Sequence, residues 1–334
     1  MSSEPQEARY LPQVVYDYRG NPLIEALPPI YSTYEAAKLL TVDPGYHEGE
    51  RELDEQYRKH CIGRLFRYFQ PLDVHLDIEQ RVSRAIRQSY ISKNPVSPQY
   101  AAGLADGAAA VRQSNVNAAS HIHSTATGFT VIGLSGVGKT TAIERILSLY
   151  PQTILHTRYN DAPLFLTQLV WAKLDCPFDG SLKGLCMSFF DYVDNILGTD
   201  YGKRFSVYRM TVDSALPRMA QIARAHSLGL LVIDEIQHLN QAKSGGQAKM
   251  LNFFVTLVNT VGVPVVLIGT TKAMSVLQSE FRQARRGSGQ GDLIWERMQN
   301  DMSWEIMLRA MWKNQWTRKQ TPLTAELKNV LYDE

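Results

Sequence analysis

The sequence predicts an α/β fold in which a parallel sheet is covered by helices on both faces. Short apolar runs at residues 129–133, 230–233 and 263–269 have the length and composition of buried strands. Segments with helical periodicity lie between these runs, and a glycine-rich loop follows the first of them. Strands that alternate with helices in this way are typical of parallel sheets.

Composition limits the possible classes of protein. The 334 residues, 44% hydrophobic and 20% charged, suffice for one large core or two modest ones. The net charge of +2 gives no global electrostatic reason for nucleic-acid binding, so any such binding must come from local patches. The three cysteines form neither a metal-ligand spacing nor an even disulfide set, which predicts a reducing compartment.

The sequence further predicts a cytoplasmic protein without a membrane partner. No apolar run reaches the ~18 residues that a membrane-spanning helix needs. The first ten residues, MSSEPQEARY, have neither the basic segment nor the apolar segment of a signal peptide.

Two segments are predicted to precede the core. Six prolines and weak periodicity over residues 1–50 predict an N-terminal arm that is extended apart from one short helix at 34–40. Residues 51–126 are predicted to form a helical extension and a connector, with helices at 50–70, 77–91 and 101–113.

Residues 127–300 are predicted to form the α/β core. Apolar runs predict strands at 129–133, 153–156, 169–174, 230–233 and 263–269. Apolar residues at three- and four-residue spacings predict helices at 140–150, 181–197, 212–227 and 248–261. The final segment, residues 301–334, has room for two further helices.

The strongest local signal is the glycine-rich loop between the first predicted strand and helix of the core. Its sequence, GLSGVGKTT, fits the pattern G-x-x-x-x-G-K-[ST] of a phosphate-binding loop. Glycines let backbone amides point inward at phosphate oxygens, and the positive end of the following helix adds to the attraction. Lys139 is expected to reach the β- and γ-phosphates of ATP, and the Thr140 hydroxyl to bind Mg²⁺. The predicted ATP-binding residues are Gly133, Ser135, Gly136, Val137, Gly138, Lys139, Thr140 and Thr141.

Two adjacent carboxylates, Asp234 and Glu235, follow the buried strand of LLVIDEIQHLN. Buried charge without a partner is costly, so a positive group is expected beside them. Open parallel sheets bind ligands at the carboxyl ends of their strands, and Asp234 is therefore predicted to support Mg²⁺ and its waters. Glu235 is predicted to polarise a water for attack on the γ-phosphate; the alternative is a solvated surface acid.

Further candidates follow the last predicted strand. Thr270 could hydrogen-bond the attacking water or the γ-phosphate, or be an ordinary turn residue. Arg282, Arg285 and Arg286 precede a glycine-rich turn, and Arg285 or Arg286 is the candidate for an arginine that acts on a neighbouring subunit's γ-phosphate. The alternative is that these arginines complement a helix dipole.

These motifs resemble those of AAA+ ATPases and, more narrowly, of the TnsC family of regulators of Tn-seven-like DNA transposons. The Walker A sequence GLSGVGKT and the Walker B sequence LLVIDEIQHL are widely shared, whereas LDCPFDGSLKGLC (174–186) and ARRGSGQG (284–291) are much narrower. The resemblance runs along most of residues 20–300. It implies an AAA+ P-loop NTPase core with an N-terminal extension and a short or truncated C-terminal helical lid at 301–334.

The resemblance also implies partners. Such proteins form rings or spiral filaments on duplex DNA, with ATP between subunits and hydrolysis as the switch, and they connect a target-selector protein to transposase subunits. Related proteins contact the DNA backbone with loops that correspond here to Lys183, Lys243, Ser244 and Lys249. For Lys183 a solvated surface lysine is an equally good interpretation. The arm at 1–50 is the candidate segment for docking the selector.

Two alternatives from other functional classes stay open. A replication-type AAA+ helicase or clamp loader would couple hydrolysis to strand separation or clamp opening. A nucleotide-gated signalling module would show no salt-dependent retention of DNA.

Overall fold

The structure is a computed structural model that describes residues 5–98, 126–205, 211–242, 246–274 and 290–333. The chain forms two compact units. The core unit contains Met1–Ile30 and Ile78–Trp295, and the terminal unit contains Tyr31–Asp77 and Glu296–Glu334. The four-segment division of the sequence stays a prediction.

Strands and helices are numbered in chain order over the described residues. The strands are β1 (Gln6–Glu7), β2 (Phe129–Gly133), β3 (Thr153–Tyr159), β4 (Ala162–Leu169), β5 (Trp171–Asp175), β6 (Leu230–Asp234), β7 (Val265–Gly269) and β8 (Asp292–Trp295). The helices are α1 (Pro22–Glu25), α2 (Thr33–Leu40), α3 (Glu55–Ile62), α4 (Asp73–Ile91), α5 (Lys139–Leu147), α6 (Leu182–Leu197), α7 (Tyr201–Arg204), α8 (Val212–Ala225), α9 (Gly246–Thr256), α10 (Met302–Trp312) and α11 (Ala325–Asp333).

The centre of the core unit is a five-stranded sheet with the spatial order β5-β6-β7-β2-β8. All of its neighbouring strands run parallel. Every residue of β2, β6 and β7 is buried, which explains their nearly unbroken apolar sequences. Strand β7 lies between β2 and β6, so the residues that follow these three strands meet at one edge of the sheet.

A second sheet, with the order β1-β3-β4, differs from the sequence prediction. The run at 153–156 was expected in the parallel sheet, but it belongs to β3, which pairs antiparallel with β4. Asn160 and Asp161 connect the two strands with positive φ angles of 46° and 63°. Two such residues form the tight turn that hairpins favour, so β3 pairs with its neighbour along the chain. The strand predicted at 169–174 is present as β5 with shifted bounds, because Leu169 ends β4 and β5 begins at Trp171.

The predicted helices of the core are confirmed, with shifted ends. Helix α5 begins at Lys139, and α6 and α8 begin at Leu182 and Val212. Helix α9 is followed by a π-helical turn at Leu257–Val261, so the predicted helix at 248–261 changes character at its end. The helix predicted at 101–113 lies outside the described residues.

The N-terminal residues depart from the predicted extended arm. Asn21 caps α1 by accepting a hydrogen bond from the Leu23 amide, and the side chains of Leu23 and Ile24 are fully buried. An apolar stretch that buries this much surface gains more by packing than by staying extended. The short helix predicted at 34–40 is confirmed as α2, whose capping box joins Ser32 to Glu35.

The terminal unit joins two distant parts of the sequence. The Arg51 guanidinium donates hydrogen bonds to the carbonyls of Thr317 and Arg318, and Glu50 accepts from both Arg64 and Trp316. The helix predicted at 50–70 is broken into a 3₁₀ turn at Glu48–Glu52, α3, and a second 3₁₀ turn at Gly63–Arg67. The two predicted C-terminal helices are present as α10 and α11. Among the helices that the structure describes, none is long and apolar enough to cross a membrane.

Candidate nucleotide-binding site

The phosphate loop, residues 133–141, connects β2 to α5 at the carboxyl edge of the five-stranded sheet. Gly136 and Gly138 have φ angles of +83° and +95°, a backbone conformation that other residues adopt only with strain. Gly133 is required for a different reason. A β-carbon at this position would lie 2.4 Å from the carbonyl oxygen of Trp295 on β8.

Lys139 occupies the first position of α5 and is buried. Its ammonium donates hydrogen bonds to the carbonyls of Gly133 (3.0 Å) and Leu134 (2.6 Å). Burial lowers the pKa of Lys139, and the nearby carboxylates of Asp234 and Glu235 oppose that shift. The loop therefore holds a cation next to its own backbone, at the positive end of a helix.

Asp234 is the centre of the site and is only 3% exposed. Its Oδ2 accepts a hydrogen bond of 2.8 Å from the Thr140 hydroxyl. Its Oδ1 accepts a bond of 2.8 Å from the backbone amide of Glu235. Both oxygens of this buried carboxylate are thus used, as the cost of burying a charge requires.

Lys173 on β5 is a site residue that the sequence analysis missed. Its ammonium lies 3.0 Å from Glu144, and 3.7 Å from both Asp175 and Asp234. Burial acts to lower the pKa of Lys173, but the hydrogen bond to Glu144 and the charges of the other acids outweigh it and raise the pKa. The sequence feature that could have identified Lys173 is its charge inside the apolar run at 169–174. This run includes β5, which pairs with β6.

Glu235 leaves the sheet in a left-handed conformation, with φ of 56°. Such a conformation costs a residue other than glycine ~1–3 kcal/mol, and its presence beside Asp234 is typical of functional sites. The Glu235 side chain is exposed and accepts a hydrogen bond from the Gln237 carboxamide. Gln237 is a second residue that the sequence analysis missed.

Thr270 follows β7 directly. Its backbone amide donates a hydrogen bond of 3.0 Å to the Gln237 carboxamide oxygen. Its hydroxyl is buried, and within the described residues no group hydrogen-bonds to it. An unsatisfied buried hydroxyl is rare in proteins, and it fits the predicted contact with a ligand better than an ordinary turn residue.

The other predicted residues are distributed as follows. Ser135 and Thr141 are exposed, and Val137 is half-buried. Lys183 lies in the first turn of α6 and is half-buried, while Lys249 is exposed on α9. The remaining candidates lie outside the described residues: Lys243, Ser244, Arg282, Arg285 and Arg286.

The donor set fits Mg²⁺. The Thr140 hydroxyl and the Asp234 carboxylate are oxygen groups 2.8 Å apart, and Mg²⁺ prefers oxygen ligands. This ion usually keeps several waters and binds phosphate oxygens, so one or two protein groups suffice. Over the residues that the structure describes, no three His, Cys, Asp or Glu side chains form a metal-holding group.

Comparison with known families agrees with this geometry. Residues 122–277 match the family described as AAA domain. The match covers slightly less than half of the chain and includes the phosphate loop, the acids after β6 and Thr270. Together with the parallel sheet, it confirms the predicted AAA+ P-loop fold. An AAA domain binds nucleotide, which agrees with the open glycine loop.

Three solved structures are similar to the chain. The ORC1 protein of Aeropyrum pernix in complex with DNA is 15% identical, with 69% of this chain and 53% of that chain covered and a TM-score of 0.39. A Walker-type ATPase of Pyrococcus abyssi is 13% identical, with coverages of 61% and 57% and a TM-score of 0.40. The ORC2 protein of A. pernix in ADPNP–ADP complexes is 10% identical, with coverages of 65% and 53% and a TM-score of 0.38. The chain thus spans little more than half the length of these proteins. No curated protein matches the sequence.

Proposed function

We propose that the chain is an ATPase that regulates DNA transposition, with ATP and Mg²⁺ bound at the phosphate loop. One observation carries the proposal of hydrolysis: the Thr140 hydroxyl and the Glu235 backbone amide donate to the two oxygens of the same buried carboxylate, Asp234. The pair that would hold magnesium therefore lies next to the exposed Glu235 carboxylate. Proteins that only bind nucleotide seldom need the second acid, which favours hydrolysis.

Each residue has a defined part in the proposed reaction. The Glu235 carboxylate accepts a proton from a water whose oxygen bonds to the γ-phosphorus. The bond from this phosphorus to the bridging oxygen breaks, and ADP and phosphate are released. Lys139 neutralises phosphate charge, and Mg²⁺, when bound, adds positive charge to the same oxygens. Arg285 or Arg286 of a neighbouring subunit would raise the rate by ~10³–10⁵-fold.

The transposition role has its support in the sequence. The stretches at 174–186 and 284–291 resemble the TnsC family more narrowly than the Walker motifs do. On this proposal the chain forms a homo-oligomeric ring or spiral on duplex DNA and connects a target selector to transposase subunits. Lys183 and Lys249 would contact DNA phosphates, as would Lys243 and Ser244.

ATP turnover of the purified chain, with and without duplex DNA, tests the proposal alongside electron microscopy of both samples. We expect DNA to stimulate turnover and ATP to be needed for rings or filaments. Lys139→Ala should weaken nucleotide binding ~10–100-fold, because hydrogen bonds to charged groups contribute ~1.5–3 kcal/mol. Glu235→Gln should bind nucleotide normally, lose turnover and prolong the assemblies. Lys203→Ala, at an exposed lysine of α7, is the control.

The same samples distinguish the alternatives. A protein that stays monomeric in every condition, and whose ATP turnover does not change with DNA, would contradict the regulator proposal. Strand separation by the wild type would favour a helicase.

The salt dependence of DNA affinity tests the lysines. Each phosphate contact contributes ~0.9 to the slope of log affinity against log salt, so Lys183→Ala and Lys249→Ala should each reduce the slope by that amount. Lys203→Ala should leave it unchanged. A wild type that never retains DNA would favour the signalling module.

A further inference from the structure

We propose that Gln237 is a positioning residue that holds the Glu235 carboxylate and couples it to the end of β7. The inference rests on the proposed ATP hydrolysis and adds a component to it. Neither the Walker motifs nor the AAA domain match assigns a role to this glutamine.

The Gln237 carboxamide is fixed at both of its ends. Its nitrogen donates to the Glu235 carboxylate, and its oxygen accepts from the Thr270 amide at 3.0 Å. Among the described residues, Gln237 is the only hydrogen-bond donor to the Glu235 side chain. An exposed carboxylate without such a donor would sample several rotamers, and a general base needs one orientation.

Gly269 makes this arrangement possible. A β-carbon there would lie 2.4 Å from Ile236 Cγ2 and 3.0 Å from the Gln237 carboxamide oxygen. Any larger residue at the end of β7 would therefore push the turn after Glu235 away from the sheet. The space that a side chain would take at 269 is the space in which Gln237 reaches the Thr270 amide.

The link connects two groups that face the same reaction. Thr270 follows β7, the strand between β2 and β6. Its hydroxyl is buried, and no described residue hydrogen-bonds to it. Glu235 follows β6 and carries the candidate base. A movement of Thr270 towards a phosphate or water would pull on the Gln237 oxygen and turn the Glu235 carboxylate with it. Gln237 thus couples the position of the Thr270 backbone to the orientation of the Glu235 carboxylate.

Two substitutions separate the two ends of the carboxamide. Gln237→Met has a similar length and removes both hydrogen bonds. Gln237→Glu keeps an acceptor for the Thr270 amide and replaces the donor to Glu235 by a repelling carboxylate. Gln241→Met, at an exposed position of the same 3₁₀ helix, Ile236–Gln241, is the matched control.

The measurements are kcat and KM for ATP, the equilibrium affinity for a fluorescent ATP analogue, and the ratio of variant to wild-type kcat between pH 6 and pH 8. We expect Gln237→Met to lower kcat ~10–100-fold, the scale of a misplaced catalytic group, with the analogue's affinity unchanged within about twofold. For Gln237→Glu the loss should be largest at pH 8 and smaller at pH 6, where the introduced carboxyl regains a proton to donate. Combined with Glu235→Gln, Gln237→Met should cause no further loss.

The outcomes separate this inference from the proposed function. If Glu235→Gln abolishes turnover but Gln237→Met matches the wild type, the role of Gln237 is refuted and hydrolysis stands. A parallel loss of kcat and analogue affinity in Gln237→Met would also refute it, since that pattern indicates damage to the binding loop. A wild type that hydrolyses no ATP under any condition would refute both.

Discussion

The Thr140 hydroxyl donates a 2.8 Å hydrogen bond to Oδ2 of Asp234, which joins the residue after the phosphate-loop lysine to the end of strand β6. The two residues are 94 positions apart in sequence. On the proposed function, these two groups would hold one Mg²⁺ ion from two strands of the sheet. The contact also gives the buried carboxylate a hydrogen-bond partner.

Removing this hydroxyl should separate magnesium binding from nucleotide binding. Thr140→Val keeps the shape of the side chain but removes the oxygen, so nucleotide affinity should fall about tenfold with Mg²⁺ present and stay unchanged in EDTA, consistent with a loss of ~1.4 kcal/mol. Titration of a fluorescent ATP analogue under both conditions measures this. Thr41→Val, which removes a hydroxyl at an exposed position outside the phosphate loop, is the control. Equal losses with and without the ion would contradict magnesium ligation by Thr140.

Lys173 is expected to stabilise the fold as well as the site. Lys173→Met removes the ammonium that lies 3.7 Å from the buried Asp234 carboxylate. We expect a loss of ~1–3 kcal/mol in the free energy of unfolding. Thermal unfolding should detect this as a lower Tm, by ~2–4 °C per kcal/mol. Lys203→Met removes an exposed lysine and should leave Tm unchanged. A Tm equal to that of the wild type would show that the ion pairs of Lys173 contribute nothing.

Gly133 should tolerate no side chain. In Gly133→Ala the new methyl group would meet the Trp295 carbonyl oxygen, and strand backbones on both sides prevent relief. Overpacking of this kind costs ~1–3 kcal/mol, which a denaturant titration measures. Gly49→Ala, whose β-carbon meets no atom within 4 Å, should stay within ~0.5 kcal/mol of the wild type. An equally stable Gly133→Ala protein would mean that β8 does not press against the phosphate loop.

The buried Lys93 should make the free energy of unfolding depend on pH. Burial, assisted by the charge of Arg224, lowers its pKa from 10.5 to about 7, and its ammonium donates to the Leu228 carbonyl. Between these two values the unfolded chain holds a proton that the folded chain has released, so folding stability rises with pH.

Comparison with Lys93→Met isolates this contribution, because other titrating groups cancel in the difference. From pH 7.5 to pH 8.5 the wild type should gain up to ~1.4 kcal/mol relative to the variant, measured by urea unfolding at each pH. A difference that stays constant with pH would show that Lys93 is protonated in the folded protein throughout.

Local patterns predicted the AAA core well. The phosphate loop and the carboxylates after β6 depend on residues close together in sequence, and these were found from spacing and composition alone. The run at 153–156 was assigned to the wrong sheet, because an apolar strand fits either sheet equally well. Only the conformation of Asn160 and Asp161, which bring β3 back against β4, separates the two possibilities.

The contacts of Lys173 and Gln237 could not be read from spacing. Lys173 meets Asp234 across two strands that are far apart in the sequence, and Gln237 meets Thr270 33 positions away. Such pairs depend on strand order, which the pattern of elements leaves open. The predicted extended arm failed for a similar reason, since its prolines suggested an exposed chain while Leu23 and Ile24 pack into the core unit.

The terminal unit also sets an order of events during protein synthesis. Arg51 bonds to the carbonyl of Thr317, which is added 266 residues later. At a translation rate of ~5–20 residues per second, the partner emerges roughly 13–53 s after the arginine. Residues 31–77 therefore lack these partners until Thr317 and Arg318 have been made. All residues of the core unit are synthesised before the terminal unit can close, and chaperones can bind residues 31–77 during that interval.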